Sequence, residues 1–471
     1  MEGDPSSYAW AAETAAVAPP AVAPPAVVPS QSELLGTIWA LAWPVIITFL
    51  LESLVGLIDT LMVGRLGAAA VAAVGIGAQI LSAVSVAMTA IGTGTLALVA
   101  RHVGAQQHRD AEHVLLQSIL AAMALSLIGI VPVIAFAPQL VQLFGVDASV
   151  VEQGGPFVRL VMLSIPQSAM MFVIGSALRA AGDTRTPLAI GATVNVINIA
   201  GNYILIFGKL GFPALGVRGS ALATTLAFTT GTVIGLILLT RGHLVLKLAR
   251  RGVKPDRRTI RRVLAIGYPA AAEQILMQIG FFFYLVFAAR YGTSALAGYF
   301  IGVRIMALSF LPGFGFAAAA GALVGQNLGA GNPDLAERSG WAANRMAMYL
   351  MSACGVVLFV AARPIATMFV DDPAVVTDAV SFIRTLAAAQ PFMAMDFTIG
   401  GALRGAGDTR FPLVAVFVGF YGCRLAFAYV ATFVLHLSLP WVWFALIGDY
   451  IARASLKGWR FRSGRWKHAI V

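Results

Sequence analysis

Long apolar stretches separated by short charged or Gly/Pro-rich breaks dominate the pattern of the chain. Most stretches contain about 18 or more residues, enough for a helix rising about 1.5 Å per residue to cross a hydrocarbon core roughly 30 Å thick. Strand-length alternation is absent, so we expect helices. The breaks delimit twelve predicted spans, near residues 36–63, 70–99, 113–137, 156–180, 187–208, 217–240, 262–288, 295–324, 339–361, 377–402, 412–436 and 440–456.

The composition agrees with a chain that lies mostly inside a membrane. Apolar residues make up 59% and charged residues 11% of the 471 residues, whereas soluble domains contain roughly 45–50% and 25%. The mean hydropathy is +0.84. We therefore predict a polytopic membrane protein.

The second half of the chain repeats the first at an offset of 225 residues. Gly175–Leu188 aligns with Gly400–Leu413 without a gap, and both contain Leu-Arg-x-Ala-Gly-Asp-Thr-Arg. Both copies of this loop are cationic, and cationic loops favour the cytoplasmic face, so each half must contain an even number of spans. We predict an all-α fold of two six-helix bundles related by internal duplication, the architecture of a two-lobed transporter.

This organisation divides the chain into five predicted units. Residues 1–34 form a disordered Ala/Pro-rich cytoplasmic tail, 35–240 the N-terminal lobe, 241–261 a basic cytoplasmic linker, 262–456 the C-terminal lobe and 457–471 a basic aromatic cytoplasmic tail. The Trp and Phe side chains of the last unit are typical of an anchor in the headgroup layer.

The distribution of the basic residues predicts the orientation of the chain in the membrane. The breaks assigned to the cytoplasm, with their flanks, carry 23 of the 32 Lys and Arg residues, nine of them between Arg241 and Arg262. Both termini are then cytoplasmic, and we expect the protein in the plasma membrane. The net charge of +11 is largely this topology signal, and the near partner of the basic linker is anionic lipid rather than nucleic acid.

Signatures of enzymes and of tightly bound cofactors are absent from the sequence. There is no P-loop, and Cys354 and Cys423 both fall inside predicted spans, which favours neither a disulfide framework nor a cysteine metal site. We expect no enzyme activity and no cofactor.

Polar side chains inside the spans of the first half form two helical stripes. Thr48, Glu52 and Asp59 are spaced 4 and 7 residues apart, and Asn195, Asn198 and Asn202 are spaced 3 and 4 apart. Facing one another, they would offer carboxylate and amide oxygens suited to a proton, sodium or an organic cation. Two structural alternatives stay open: the asparagines only join helices, and Asp59 only pairs with Arg65.

The second half has a different balance of buried charge. Its span acids Glu273 and Asp396 have three candidate partners, Arg304, Arg384 and Arg424, whereas the first half has only Arg159. We therefore expect residual negative charge in the N-terminal lobe. Asp449 lies four residues before Arg453, which favours an ion pair within one helix.

Matched prolines occur inside the spans of both halves. Pro44 aligns with Pro269 and Pro166 with Pro391. Proline removes one helical hydrogen bond and bends the helix, so these sites are either hinges or fixed curvature.

Several motifs together resemble the multidrug and toxic compound extrusion (MATE) transporters. They are Pro44–Gly67, which ends in Leu-Ile-Asp-Thr-Leu-Met-Val-Gly-Arg-Leu-Gly, Leu323–Gly331, the doubled Leu-Arg-x-Ala-Gly-Asp-Thr-Arg, and Asn195-Val-Ile-Asn198. The resemblance covers nearly all of residues 35–456. It implies two six-helix bundles around a central cavity and exchange of cationic or amphipathic drugs for protons or sodium. By motif, Asp59, Asn198 and Thr224 match cation-coupling positions, and Asn202 stands where some members carry a second aspartate. Glu273 and Asp396 lie in the helices that carry acids in another branch, about one turn from that pattern.

These observations together predict a proton- or sodium-coupled exporter of small hydrophobic cations, which we expect to be a monomer in the bilayer. The candidate coupling residues are Asp59, Asn195, Asn198, Asn202 and Thr224, which could also hold sodium; the candidate substrate contacts are Glu52, Glu273 and Asp396. One alternative is a lipid-linked precursor flippase of the same superfamily, which should have a cationic cavity and extra helices. Another is an intramembrane enzyme or lipid-binding protein, for which no catalytic constellation argues.

Overall fold

A computed structural model describes residues 29–242, 244–248 and 254–469, and these residues fold into helices joined by short loops. Most of the predicted tail at residues 1–34, and residues 243 and 249–253 of the predicted linker, lie outside the described residues. The first helix begins at Gln31, five residues before the predicted span, because Ser30 and Glu33 form a reciprocal capping box.

The N-terminal lobe contains six spans. Its helices are α1 (Gln31–Gly64), α2 (Ala68–Gly104), α3 (His108–Ala135), the short α4 (Ala137–Gln142), α5 (Ala148–Met162), α6 (Ile165–Ala180), α7 (Arg185–Phe207) and α8 (Val217–Arg241). The helices α5 and α6 are bent by 44° relative to each other and together form one span.

The C-terminal lobe contains the other six spans. Its helices are α9 (Arg257–Ala289), α10 (Thr293–Ser309), α11 (Leu311–Gly329), α12 (Pro333–Val360), the short α13 (Ala362–Thr367), α14 (Pro373–Ala406), α15 (Arg410–Val416), α16 (Ala426–Tyr429) and α17 (Leu439–Arg462). The π-helical stretch Phe417–Leu425 joins α15 to α16, and a second one, Val430–Val434, extends α16, so that together they form one long span. A 3₁₀ turn, Arg465–His468, follows α17. Within the described residues, nine helical segments are long and apolar enough to span a membrane, and α10 with α11 counts as one of them. The bent pair of α5 and α6 makes ten, and α14 and α17 complete the twelve.

The helix boundaries reproduce the internal duplication. Helix α3 begins at residue 108 and α12 at residue 333, a difference of 225, and α4 and α13 begin at residues 137 and 362 with the same difference. The interruptions of the spans do not repeat. Pro166 follows the break between α5 and α6, whereas Pro391 lies inside the unbroken α14. The matched prolines therefore do not create matched breaks.

The two lobes approach most closely along α2 and α9. A side chain at Gly94 would collide with the backbone of Val263, and one at Gly267 with the backbone of Ala90. Only glycine allows backbones to come this close, a typical arrangement of helices packed within a membrane.

The lobes are held together at the end that carries the two Gly-Asp-Thr-Arg loops. Gln326 Nε2 donates to the carbonyl of Ala180 at 2.6 Å, and Arg101 donates to the carbonyls of Ala406 and Ala469 at 3.2 and 3.3 Å. We call this the closed end. Helix α1 runs from Gln31 at the closed end to Gly64, so Asp59 lies near the opposite end of this helix.

The C-terminal segment differs from the predicted headgroup anchor. Helix α17 continues to Arg462, so Lys457 is a buried residue of the lobe rather than the start of a tail. Trp466 is fully buried and stacks on Phe461 with ring centroids 4.5 Å apart. Because these rings pack against protein, only Trp459, which is exposed, keeps the character of an interfacial residue.

Candidate functional site

Asp59 of α1 and three polar side chains from two other helices of the N-terminal lobe form a cluster. Asn202 of α7 donates through Nδ2 to Asp59 Oδ1 and, at 3.2 Å, to Asn198 Oδ1. Asn198 is in turn 3.2 Å from Thr224 Oγ1 of α8. The two asparagine side chains are buried. The polar stripes predicted on the first and fifth spans therefore face each other.

The amide of Asn198 also fits its site when its oxygen and nitrogen are exchanged. It then donates to both carboxylate oxygens of Asp59, at 3.1 and 3.2 Å, and accepts from Thr224 Oγ1. Amide orientation follows from the hydrogen-bond network rather than from atom positions alone. In either orientation, neutral amides surround the carboxylate.

This cluster has the donor set of a hard-cation site. In the network as described, the buried oxygen Oδ1 of Asn202 has no hydrogen-bond partner. A buried carbonyl oxygen without a partner is costly, and it would be satisfied by a sodium ion or a hydronium beside the carboxylate of Asp59. Within the described residues, no group of three or more His, Cys, Asp or Glu side chains is placed to hold a metal ion.

The remaining predictions for this cluster have mixed outcomes. Arg65 is exposed and, within the described part of the chain, Asp59 forms no ion pair with it. The asparagines do join α7 to α1 and α8, so their helix-joining role coexists with the site. Asn195, the third residue of the stripe, is half-buried and makes no hydrogen bond to this cluster among the described side chains.

A second feature of the N-terminal lobe is a cavity of about 370 Å³ enclosed by α1, α2, α6, α7 and α8. Glu52 and Thr48 line it, about two and three turns along α1 from Asp59. Arg179 of the repeated motif also lines it. Sequence reasoning assigned Arg179 to a cytoplasmic break; its position in the final turn of α6 was the signal that it could point back into the lobe.

The buried acids of the C-terminal lobe are paired, but with partners other than those expected. Glu273 pairs with Arg404 at 3.1 Å. Asp396 pairs with Lys457 at 2.6 Å and with Arg453 at 3.3 Å. Of the three expected partners, Arg304, Arg384 and Arg424, none forms an ion pair with Glu273 or Asp396 in the described structure.

Arg424 instead belongs to a neighbouring part of the same buried network. It lies 3.7 Å from Asp449, which pairs with Arg453 at 2.9 Å as the spacing of four residues predicts. Its guanidinium carbon also lies 4.2 Å from the ring centroid of Tyr284. Guanidinium groups pack favourably on aromatic faces, so this charge is stabilised partly without hydrogen bonds. Cationic side chains thus compensate the buried acids of the C-terminal lobe, whereas no described cationic side chain pairs with Asp59.

Twelve spans in two duplicated lobes, with a carboxylate that has no cationic partner in the described part of one lobe, are the features of a polytopic membrane transporter. Comparison with known proteins gives the family. The family model MatE matches residues 44–204 and again residues 269–430, one match in each lobe. The chain therefore belongs to the MatE family of membrane transporters.

Relatives and a solved structure match more than nine-tenths of the chain. A probable multidrug resistance protein NorM of Thermotoga maritima is 29% identical over 437 residues, which cover 92% of this chain and 93% of that protein. A protein of the same description from Burkholderia mallei is 30% identical over 456 residues, 95% of each chain. An outward-facing structure of a multidrug resistance MATE transporter has a TM-score of 0.84 at 22% identity and covers 93% of this chain and 99% of its own. At that identity the structural likeness establishes the fold alone.

Proposed function

We propose that this protein is a secondary antiporter that exports hydrophobic or cationic compounds in exchange for protons or sodium by alternating access. The observation that carries the proposal is the environment of Asp59, a carboxylate inside a span that meets only amides and no cationic side chain in the described structure. The relatives described as multidrug resistance proteins support export of small molecules.

Asp59 is the proposed coupling residue because its charge is not already compensated. A carboxylate that meets only neutral donors can bind a proton or sodium from one side of the membrane and release it to the other. A transporter shifts its equilibrium only by binding an ion more tightly in one state than in another. Asn198, Asn202 and Thr224 would supply the oxygens that differ in distance between the two states.

The proposal places the protein in the plasma membrane as a monomer, with both termini in the cytoplasm. With this orientation, the contacts of Gln326 with Ala180 and of Arg101 with Ala406 close the cytoplasmic end. An open path to Asp59 would then lead from the outer face. This arrangement suits uptake of the coupling ion.

The second lobe takes a different role in this proposal. Glu273 and Asp396 are held by Arg404, Arg453 and Lys457 and therefore serve structure more than ion coupling. A flippase of the same superfamily is disfavoured because its cavity should be cationic, whereas the cavity of the N-terminal lobe contains a carboxylate, Glu52, beside Arg179.

The experiment is ethidium efflux from vesicles containing the purified protein, with proton and sodium gradients imposed separately. We expect efflux to follow one of the two gradients and to stop when that gradient is dissipated. Empty vesicles measure leakage. Efflux that is unchanged without any ion gradient would contradict ion-coupled antiport.

A further inference from the structure

Four arginines at the start of α9 lie together on the surface of the second lobe. Arg257, Arg258, Arg261 and Arg262 line a surface pocket of about 430 Å³, which Ala265 completes. All four are exposed, and their spacing places them on one side of the helix. Within the described residues, Arg257, Arg258 and Arg261 form no ion pair. Their charge is therefore available to an external anion.

Hydrogen bonds to the first lobe fix the backbone from which these arginines extend. Gln117 of α3 donates through Nε2 to the carbonyl of Lys254 at 3.0 Å, and its Oε1 accepts from the backbone N–H of Asp256 at 2.8 Å. Asp256 then caps α9 by accepting from the backbone N–H of Arg258 at 2.9 Å. The four guanidinium groups are thus presented from an ordered helix start at a defined place.

The exposed surface of α9 changes from charged to apolar within two turns. Leu264 and Tyr268 follow the arginines and are 37% and 50% exposed. Exposed apolar side chains of a spanning helix contact lipid, and tyrosine is enriched at the level of the headgroups. Tyr268 lies seven residues beyond Arg261, about 10 Å along the helix. This short distance places the arginines at the depth of the lipid phosphates.

The duplicated helix α1 provides a comparison within the chain. At the offset of 225 residues, the four arginines align with Ser32, Glu33, Gly36 and Thr37. Both helix starts are predicted to lie on the same face of the membrane. The positive-inside rule needs basic residues near a helix end, but it does not need four of them on one exposed side of one lobe only. The arginine cluster therefore has a local role in addition to orienting the chain.

We propose that this surface binds the phosphate group of an anionic phospholipid of the cytoplasmic leaflet, whose acyl chains lie along Leu264 and Tyr268. Guanidinium groups bind phosphate oxygens through paired N–H donors. A zwitterionic phospholipid also carries a phosphate, but its ammonium group would meet the same arginines, so an anionic headgroup fits better. The sequence predicts only that the linker as a whole lies near anionic lipid, whereas the structure selects the two turns of α9 that bind it. The site is independent of the proposed antiport, since it involves neither Asp59 nor the transported compound.

The test measures lipid binding to the full-length protein by native mass spectrometry after lipid is removed in detergent. Dioleoyl phosphatidylglycerol and dioleoyl phosphatidylcholine, which have the same acyl chains, are titrated separately. We expect the first molecule of phosphatidylglycerol to bind about tenfold more tightly than that of phosphatidylcholine, the size of one hydrogen bond to a charged group. Millimolar inorganic phosphate should not displace it, because inorganic phosphate lacks the acyl chains.

Variants then assign the preference to the cluster. Arg257→Gln combined with Arg261→Gln should abolish it, whereas Arg257→Lys combined with Arg261→Lys keeps both charges and should retain part of it. Arg109→Gln combined with Arg185→Gln removes two exposed arginines elsewhere on the same predicted face and should leave the preference unchanged. The unfolding temperature in detergent shows that each variant is folded. If the double glutamine variant of the cluster does not fold, Arg261→Gln alone replaces it and should reduce the preference.

Several results would overturn the proposal. Wild type that binds neither lipid, or binds both with equal affinity, has no anionic-lipid site. A preference that survives the glutamine substitutions in the cluster, or that falls equally in the Arg109 and Arg185 control, reflects net charge rather than this surface. Displacement of phosphatidylglycerol by inorganic phosphate would identify a site for free anions and contradict the assignment to lipid.

Discussion

Asp59 and Asp396 are both carboxylates inside spans, but their neighbours are opposite in kind. Asp59 meets the amides of Asn198 and Asn202, whereas Asp396 meets the cations of Arg453 and Lys457. Neutral donors leave a carboxylate free to exchange its proton or ion, while an ion-paired carboxylate is held in its charged form. The difference explains why we place ion coupling in the first lobe.

Loss of the charge at Asp396 should therefore destabilise the fold. Asp396→Asn leaves Lys457 and Arg453 with excess positive charge in a buried site, and breaking such pairs typically costs about 3–5 kcal/mol. Thermal unfolding in detergent measures the effect. Asp334→Asn, which removes a carboxylate that is 95% exposed and pairs with Lys467, is the control and should change little. Equal stability of the two variants would contradict the network.

Asn202 should tune the coupling site without being essential to it. Asn202→Ala removes one donor to Asp59 and the unpartnered oxygen beside it, but the carboxylate and Asn198 remain. We expect slower gradient-driven ethidium efflux rather than none. Asn195→Ala, on the same helix without a hydrogen bond to the cluster, is the matched control and should transport at the wild-type rate. Complete loss of efflux in Asn202→Ala, or equal loss in both variants, would be inconsistent with this assignment.

Sequence alone indicated the polar stripes but not the partners of the charges. Helical spacing is local, and it was sufficient to group Asn198 with Asn202 and to place Glu52 on the same face of α1 as Asp59. The partners Arg453 and Lys457 come from α17, 57 and 61 residues beyond Asp396, and no local pattern reports such a contact. Arg179 was missed for a related reason: its position at a helix end is equally compatible with solvent and with the cavity.

The helices themselves were largely predictable, since the length of the apolar stretches and the duplication both indicate each span. What the pattern could not predict is where a span is interrupted. Pro166 follows the break between α5 and α6, but the matched Pro391 lies inside the unbroken α14, so proline alone does not determine an interruption. Stretches of π-helix often occur at functional positions, and Phe417–Leu425 contains Arg424 of the buried network.

Asp256 determines how the second lobe begins. It caps α9 and accepts from Thr259 Oγ1 at 2.6 Å, from the backbone N–H of Arg258 at 2.9 Å, and contacts His113 at 3.3 Å. These bonds, that from Thr259 foremost, lower the pKa of Asp256 to about 2 from its ordinary value of 3.8.

Because the folded pKa is depressed, the cap stabilises α9 above the ordinary pKa and is lost as pH falls from about 4 to about 2. We expect hydrogen exchange in the first turn of α9, corrected for its intrinsic rate, to increase over this interval. Asp256→Ala should show the same increase already at neutral pH, and Asp256→Asn a smaller one, since an amide still caps. Exchange that is independent of pH and of both substitutions would refute the capping role.

For the whole molecule, alternating access requires the closed end to open. The described contacts there include three side-chain hydrogen bonds, from Gln326 and Arg101 to backbone carbonyls of the other lobe and of the C-terminal segment. A neutral hydrogen bond contributes about 1 kcal/mol, and one with a charged group about 1.5–3 kcal/mol. Opening therefore requires a ligand or ion that binds the open state more tightly than the closed one.

Orientation in the membrane is a separate prediction at this scale. In a Cys354→Ser/Cys423→Ser background, single cysteines replace Arg109 and Lys254 at one end and Asp147 and Asp372 at the other; all four positions are exposed. A membrane-impermeant thiol reagent added outside intact cells should label only the cysteines at 147 and 372. Labelling of all four from one side would rule out the topology.

The central claim is that Asp59 carries the coupling ion, and one measurement tests it most directly: gradient-driven ethidium efflux by Asp59→Asn in vesicles. Asparagine keeps the size and polarity of aspartate but neither releases a proton nor carries a charge. We predict that this variant folds like wild type, as checked by its unfolding temperature, and has no efflux under a proton or a sodium gradient. Proton- or sodium-driven efflux at the wild-type rate by well-folded Asp59→Asn would contradict the account and direct attention to Glu52 or Glu273.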